Sequence, residues 1–237
     1  MPAALELDRV HARYGRVEVL HGISLRVPEG SVVALLGPNG AGKTTTLKVV
    51  AGVMAPSSGR IRLHGRRIDR RPANVIARAG VALIPEGRGI FPSLSVRDNI
   101  EIAVRAANDL TDEGRQAAFD QVIAAFPRLG ERLTQQAGTL SGGEQQMLAL
   151  SRALVCRPRV LMMDEISMGL APIVVEQLYD KVAELKEAGT TILLVEQYLT
   201  QALRFADVCY VLHKGSVAFC GEPAELRQVD SVAGYVS

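Results

Sequence analysis

A lysine and a threonine behind a run of glycines are the residues best placed to do chemistry. In VVALLGPNGAGKTTTL, Gly37, Gly42, Lys43 and Thr44 fall at the spacing GxxxxGK[ST]. Glycines at that spacing let successive backbone N–H groups wrap a phosphate, and a helix opening behind them adds its positive end. Lys43 can reach β- and γ-phosphates, and the Thr44 hydroxyl can bind Mg²⁺. The remaining loop residues, Pro38, Asn39, Gly40, Ala41 and Thr45, complete the phosphate cradle. A second stretch, VLMMDEIS, ends an apolar run in two acids. Asp164 at a strand's carboxyl end can hold Mg²⁺ through water. Glu165 can orient and deprotonate an attacking water. A helix cap at Asp164 is the competing reading of this pair.

A third stretch, LSGGEQQM, opens a helix in an unusual way. Ser141 followed by Glu144 makes a capping box. Gly142 and Gly143 nevertheless fill the first turn, each at about 1 kcal/mol against alanine. Bare backbone N–H groups at a helix start suit an anion, whereas an ordinary capped helix leaves two glycines unexplained.

These residues must be held by a sheet with its helices. Alternating or continuous apolar runs bounded by Gly and Pro predict strands over Ala4–Val10, Val17–Leu20, Ile23–Val27, Val32–Leu36, Arg60–Leu63 and Val81–Ile84. A helix is predicted from Gly42 to Ala51. Further helices are predicted over Val96–Ala107, Asp112–Phe126 and Ser141–Cys156. Val160–Met163 and Thr191–Val195 read as buried parallel strands, joined by a helix from Pro172 to Ala188. Val208–His213 and Ser216–Gly221 read as a final hairpin about Lys214-Gly215. The pattern is an α/β core interrupted by a helical segment near residues 88–157.

Bulk properties narrow the function classes. The length of 237 residues suits one large domain or a core with a subdomain. With 48% hydrophobic and 22% charged residues the profile is that of a soluble globular chain. A net charge of +2 gives no argument for nucleic acid. No apolar run approaches the roughly 18 residues of a membrane span, and MPAALELDRV lacks the pattern of a secretory signal. Cys156, Cys209 and Cys220 show no metal or CxxC spacing and read as reduced thiols.

Together, GPNGAGKTT, LSGGEQQ and VLMMDE resemble, in type and in order, the motifs of the ATP-binding subunit of an ABC transporter. The resemblance covers essentially the whole chain. It implies a P-loop NTPase: one ABC ATP-binding domain over residues 1–237. Its RecA-like core with N-terminal antiparallel strands spans about 1–87 and 158–237, and its inserted α-helical subdomain spans about 88–157. It implies ATP and Mg²⁺, and two such domains packed head to tail. Each ATP then lies between one phosphate loop and the other domain's signature helix, where Ser141, Gly142 and Gly143 grip the γ-phosphate. Tyr14, in ARYGRVEVL, resembles the aromatic that stacks on adenine. No NKxD stretch is present to read guanine.

The pattern departs from the family in places. Glu86, in ALIPEGRGIFPSL, stands where a glutamine usually touches Mg²⁺ and the attacking water. It can ligate Mg²⁺, but at 4 Å would repel a γ-phosphate by roughly 1–4 kcal/mol. Gln197 stands where a histidine usually contacts the γ-phosphate; it donates a hydrogen bond but cannot become cationic. Ile166 replaces a usual proline, and Ala171 a usual aspartate. IPEGRGIFPSL, LSGGEQQMLAL, GLAP and TTILLVEQ resemble one branch, the ATPase subunits of branched-chain amino acid importers. That implies a second, homologous or identical ATPase, two membrane-spanning permease subunits, a separate solute-binding protein and a place on the cytoplasmic face of the membrane. Similar subunits serve urea and short amides. Ile90, Phe91, Pro92 and Leu94 would meet a cytoplasmic helix of the permease, or else pack the helical subdomain. Two other functions compete. One is a soluble ABC ATPase of DNA repair or translation, opposed by the single unit and the lack of sustained heptads. The other is a weakly hydrolysing regulatory module, supported by Glu86 and Gln197 and opposed by Lys43 and Glu165.

Overall fold

The computed structural model describes residues 2–107, 111–196 and 203–226. Two compact units share the chain. The first comprises Met1–Leu83, Arg159–Glu165 and Ala183–Ser237, and the second Ile84–Pro158 and Ile166–Val182.

In the first unit, β1 (Ala3–Tyr14), β2 (Val17–Pro28), β4 (Ser58–Leu63) and β5 (Arg66–Arg67) form an antiparallel sheet in the order β2-β1-β4-β5. β3 (Val32–Leu36) enters a second sheet with β6 (Val81–Ile84), β7 (Val160–Asp164), β8 (Thr191–Glu196), β9 (Val208–His213) and β10 (Ser216–Gly221). Its order is β10-β9-β3-β8-β7-β6. β3 pairs in parallel with β8 and β9, and β7 in parallel with β8. Every residue of β3, β7 and β8 is buried, as expected of parallel strands covered on both faces. Along β3 the period of two sends Val33 and Leu35 into a core with Leu5, Leu25 and Ile61, and Ala34 and Leu36 into a second cluster with Cys209 and Val211. The carboxyl ends of β3 and β7 carry the loops of interest.

The strand break predicted between Leu20 and Ile23 does not occur. β2 runs through, with Leu20 opposite Ala12 and Ile23 opposite Val10, so three steps on β2 match two on β1. Gly22 absorbs the extra residue in a bulge. The short β5 and the helix α2 (Ala73–Arg78) are too brief to leave a periodic pattern. α1 (Lys43–Val50) opens behind the phosphate loop as predicted.

The second unit is built on α3 (Val96–Ala106), α4 (Asp112–Ala125), α5 (Pro127–Gly130) and α6 (Gly142–Val155), each of the three long helices ending within a residue of its prediction. Ser95 caps α3 in a capping box with Asp98, which explains its sharp start. α7 (Pro172–Glu187) follows β7, and α8 (Pro223–Leu226) follows β10. No described helix is long and apolar enough to cross a membrane. The three cysteines are unpaired, with Cys209 buried.

Candidate functional site

The phosphate loop is shaped by what surrounds its glycines. Gly37 has φ 146°, and a Cβ there would lie 2.3 Å from the Leu212 carbonyl oxygen. Gly42 has φ 104°, and a Cβ there would lie 2.7 Å from Leu20 Cδ2. The spacing is thus enforced by the fold as well as by any ligand. The β9–β10 turn braces the loop, since the Gly215 N–H donates to Ala41 O at 3.0 Å. Asn39 and Gly40 are exposed at the tip, Pro38 and Thr44 are half-buried, and Ala41, Lys43 and Thr45 are buried.

Lys43, only 4% exposed, points its ammonium back into the loop. Nζ donates to Gly37 O at 2.7 Å and Pro38 O at 3.3 Å, and lies 3.3 Å from Glu165 Oε1. The Thr44 hydroxyl donates to Asp164 Oδ1 at 3.3 Å, although 120 residues separate them. Four predicted residues, Lys43, Thr44, Asp164 and Glu165, therefore meet at the carboxyl ends of β3 and β7. The cap reading of Asp164 fails, because it ends β7 and the next helix begins only at Pro172. Two hard oxygen donors side by side fit a magnesium ion, which needs few protein ligands when phosphates supply others. Among the described residues no group of three or more His, Cys, Asp or Glu side chains is arranged to hold a metal on its own.

Glu165 has φ +47°, an unfavourable conformation for a residue with a Cβ. Its N–H donates to Val195 O at 2.9 Å, which fixes the backbone there. Tyr14 ends β1 and is 49% exposed, and Lys48 Nζ lies 6.0 Å from the ring centroid. Gln197 lies outside the described residues.

The second unit holds the remaining predicted residues. Ser141 caps α6: its hydroxyl accepts from Glu144 N–H at 3.3 Å and donates to Glu144 Oε2 at 2.8 Å, while Ser141 N–H donates to the same oxygen at 2.9 Å. Arg132 Nε lies 2.8 Å from the other carboxylate oxygen. Burial alone would raise the Glu144 pKa, but the Ser141 N–H and hydroxyl together with Arg132 hold it below its ordinary value. Gly143 has a reason the sequence did not disclose. A Cβ there would lie 2.3 Å from Val174 Cγ1, so α6 needs a bare residue to pack on α7. At Gly142 a Cβ would meet an Arg88 guanidinium nitrogen at 3.1 Å and Leu170 Cδ2 at 3.3 Å. Arg88 donates to Gln145 Oε1, and Gln145 in turn donates to Gly138 O and Leu140 O, so this arginine helps seat the helix start. No sequence pattern singled out Arg88 or Arg132.

Glu86 is exposed in the turn after β6, and Ile166 is buried. Phe91 stays 43% exposed rather than joining the core; the Arg152 guanidinium carbon lies 4.7 Å from its ring centroid. The fully buried Asn99 side chain clasps its backbone, accepting from Phe91 N–H at 2.8 Å and donating to Phe91 O at 2.9 Å. Leu94 is half-buried.

Comparison with known proteins identifies the family. The ABC transporter family pattern matches residues 20–167. The High-affinity branched-chain amino acid transport ATP-binding protein BraG of Pseudomonas aeruginosa is 43% identical over 214 residues, 90% of each chain. The protein named Probable branched-chain amino acid transport ATP-binding protein LivF of Archaeoglobus fulgidus is 37% identical over 94% of each chain. Among solved structures, an ATP-binding cassette of an ABC transporter in its ADP conformation superposes with TM-score 0.86 at 26% identity, over 100% of this chain and 98% of that one. With the phosphate loop, the paired acids and the capped glycine helix in place, the chain belongs to the ABC transporter family, as one of its ATP-hydrolysing subunits.

Proposed function

We propose that this subunit powers import of branched-chain amino acids. The observation carrying the chemistry is the meeting of Lys43, Thr44, Asp164 and Glu165. The solute is inferred from the relative 43% identical over 90% of both chains, whose name gives that transport role.

In this reading Tyr14 stacks on adenine, and Gly37, Pro38, Asn39, Gly40, Ala41, Gly42, Lys43, Thr44 and Thr45 hold the phosphates. Thr44, Asp164 through water, and Glu86 would hold Mg²⁺, whose positive charge would offset the negative charge of the phosphate oxygens. Glu165 orients a water for in-line attack and accepts its proton, and Gln197 steadies the product phosphate. Ser141, Gly142 and Gly143 present the N-terminus of α6 to the ATP of a second ATPase subunit in a head-to-tail pair. The rate gain is mainly positioning and charge stabilisation. The division into a RecA-like core at about 1–87 and 158–237 and a helical subdomain at about 88–157 belongs to the same proposal. So do two permease subunits, a separate solute-binding protein, the cytoplasmic face of the membrane as the site of action, and the absence of any nucleic acid partner. Exposed Phe91 supports a permease contact in the Ile90–Leu94 turn.

The test is solute uptake by the complex captured through this chain and placed in vesicles. ATP-driven uptake of leucine, isoleucine and valine, abolished by Glu165→Gln, is the expected result. Uptake of urea or acetamide with none of leucine would move the solute to the amide class.

A further inference from the structure

Two of the three N–H donors of the Lys43 ammonium are bonded to loop carbonyls, and Glu165 Oε1 lies 3.3 Å away as its ion-pair partner. A γ-phosphate reaching for it therefore competes with one of these three partners. Two are carbonyls of the phosphate loop itself. That loop is fixed by the Ala41 N–H to Pro38 O bond at 3.1 Å and by the tight fit of Gly37 under Leu212. The third is the Glu165 side chain, on a backbone whose N–H is bonded to Val195 O. The Glu165 carboxylate is the partner freest to leave, by turning about its own side-chain bonds. Both partners are well shielded, with side chains 4% and 11% exposed, so the exchange takes place where charges interact strongly.

We propose that Glu165 and the γ-phosphate of ATP compete for Lys43. Lys43 is then a positioning residue for Glu165 as well as a phosphate ligand. While paired with Lys43, the carboxylate is neutralised and turned away from any water it could activate. Arrival of a γ-phosphate draws off the ammonium and frees the carboxylate, so the substrate itself releases the base. ADP, lacking that phosphate, competes less well. This rests on the reading of Lys43 as a phosphate ligand and of Glu165 as the water-activating group.

The test measures nucleotide affinity without turnover. The full-length chain is titrated calorimetrically with ATP and with ADP, in chelator and without Mg²⁺, at a concentration where sedimentation shows a monomer. Glu165→Gln removes the negative charge. Glu165→Asp keeps the charge but is one methylene too short to reach Lys43 from the fixed backbone. Competition predicts that both variants bind ATP about tenfold more tightly than wild type, with a smaller gain for ADP. Wild-type affinity in both variants would overturn it. A gain in Glu165→Gln alone would also overturn it, by assigning the effect to plain repulsion between carboxylate and phosphate. Lys43→Met is the control on the underlying reading. Unchanged ATP affinity in that variant would show that Lys43 is no phosphate ligand, a failure distinct from that of the competition.

Discussion

Replacing Gly143 by alanine separates packing from helix propensity, because the two push in opposite directions. An added Cβ would sit 2.3 Å from Val174 Cγ1 and 3.3 Å from both Val174 Cβ and Cγ2. Carbon atoms pack best at about 3.5–4.0 Å, so the first contact must open by more than 1 Å. Val174 cannot swing clear, since a valine in a helix is nearly confined to one rotamer and its second methyl is already close. Overpacking of this kind costs roughly 1–3 kcal/mol, while the gain from removing a helical glycine is about 1 kcal/mol. Gly143→Ala should therefore destabilise the chain by about 1 kcal/mol, read as a lower urea midpoint. In a Val174→Ala background both methyls are gone and only the 3.3 Å contact remains, so the same substitution should be neutral or stabilising. Equal effects of Gly143→Ala in the two backgrounds would refute the packing argument.

Glu144 should give the fold an acid limb. Its pKa is depressed in the folded chain, so its contribution is full above the ordinary value of 4.5 and is lost as pH falls through the lower folded value. Glu144→Gln should flatten the pH dependence of thermal stability below pH 4.5, and an unchanged acid limb would count against the Ser141–Glu144–Arg132 cluster. Tyr14→Ala should raise KM for ATP roughly tenfold with little change in kcat, since aromatic stacking on a base is worth about 1–3 kcal/mol and is made equally in ground and transition states. A fall in kcat alone would remove Tyr14 from that role. A cysteine at the exposed Ser93 should crosslink to the permease subunit in the captured complex; crosslinking only to other proteins would move the docking surface elsewhere.

The long helices and the buried strands were legible in the sequence because each carries its own period and punctuation. Ser141 announces α6 by its capping box, and the apolar runs of β3, β7 and β8 stand out as continuous. The candidate site could be read at Gly37–Thr44 and at Asp164-Glu165 because local spacing marks it, and the structure brings Thr44 to Asp164 and Lys43 to Glu165 across the chain. What could not be read is long-range contact. The clash awaiting a Cβ at Gly143 depends on Val174, which lies beyond a strand and a turn, and the seating of α6 by Arg88 depends on a residue 57 positions before Gln145. The left-handed conformation of Glu165, whose N–H is bonded to Val195 O, likewise leaves no mark in the local sequence. At Gly22, turn chemistry predicted a break where the sheet instead accommodates a bulge.

The most direct measurement is Mg²⁺-dependent ATP hydrolysis by the purified chain across protein concentration, with Glu165→Gln beside it. Specific activity should rise with concentration, as paired subunits complete each other's sites, and should disappear in the variant while ATP binding persists. Turnover by Glu165→Gln near the wild-type rate would contradict the assignment of Glu165 and, with it, the mechanism.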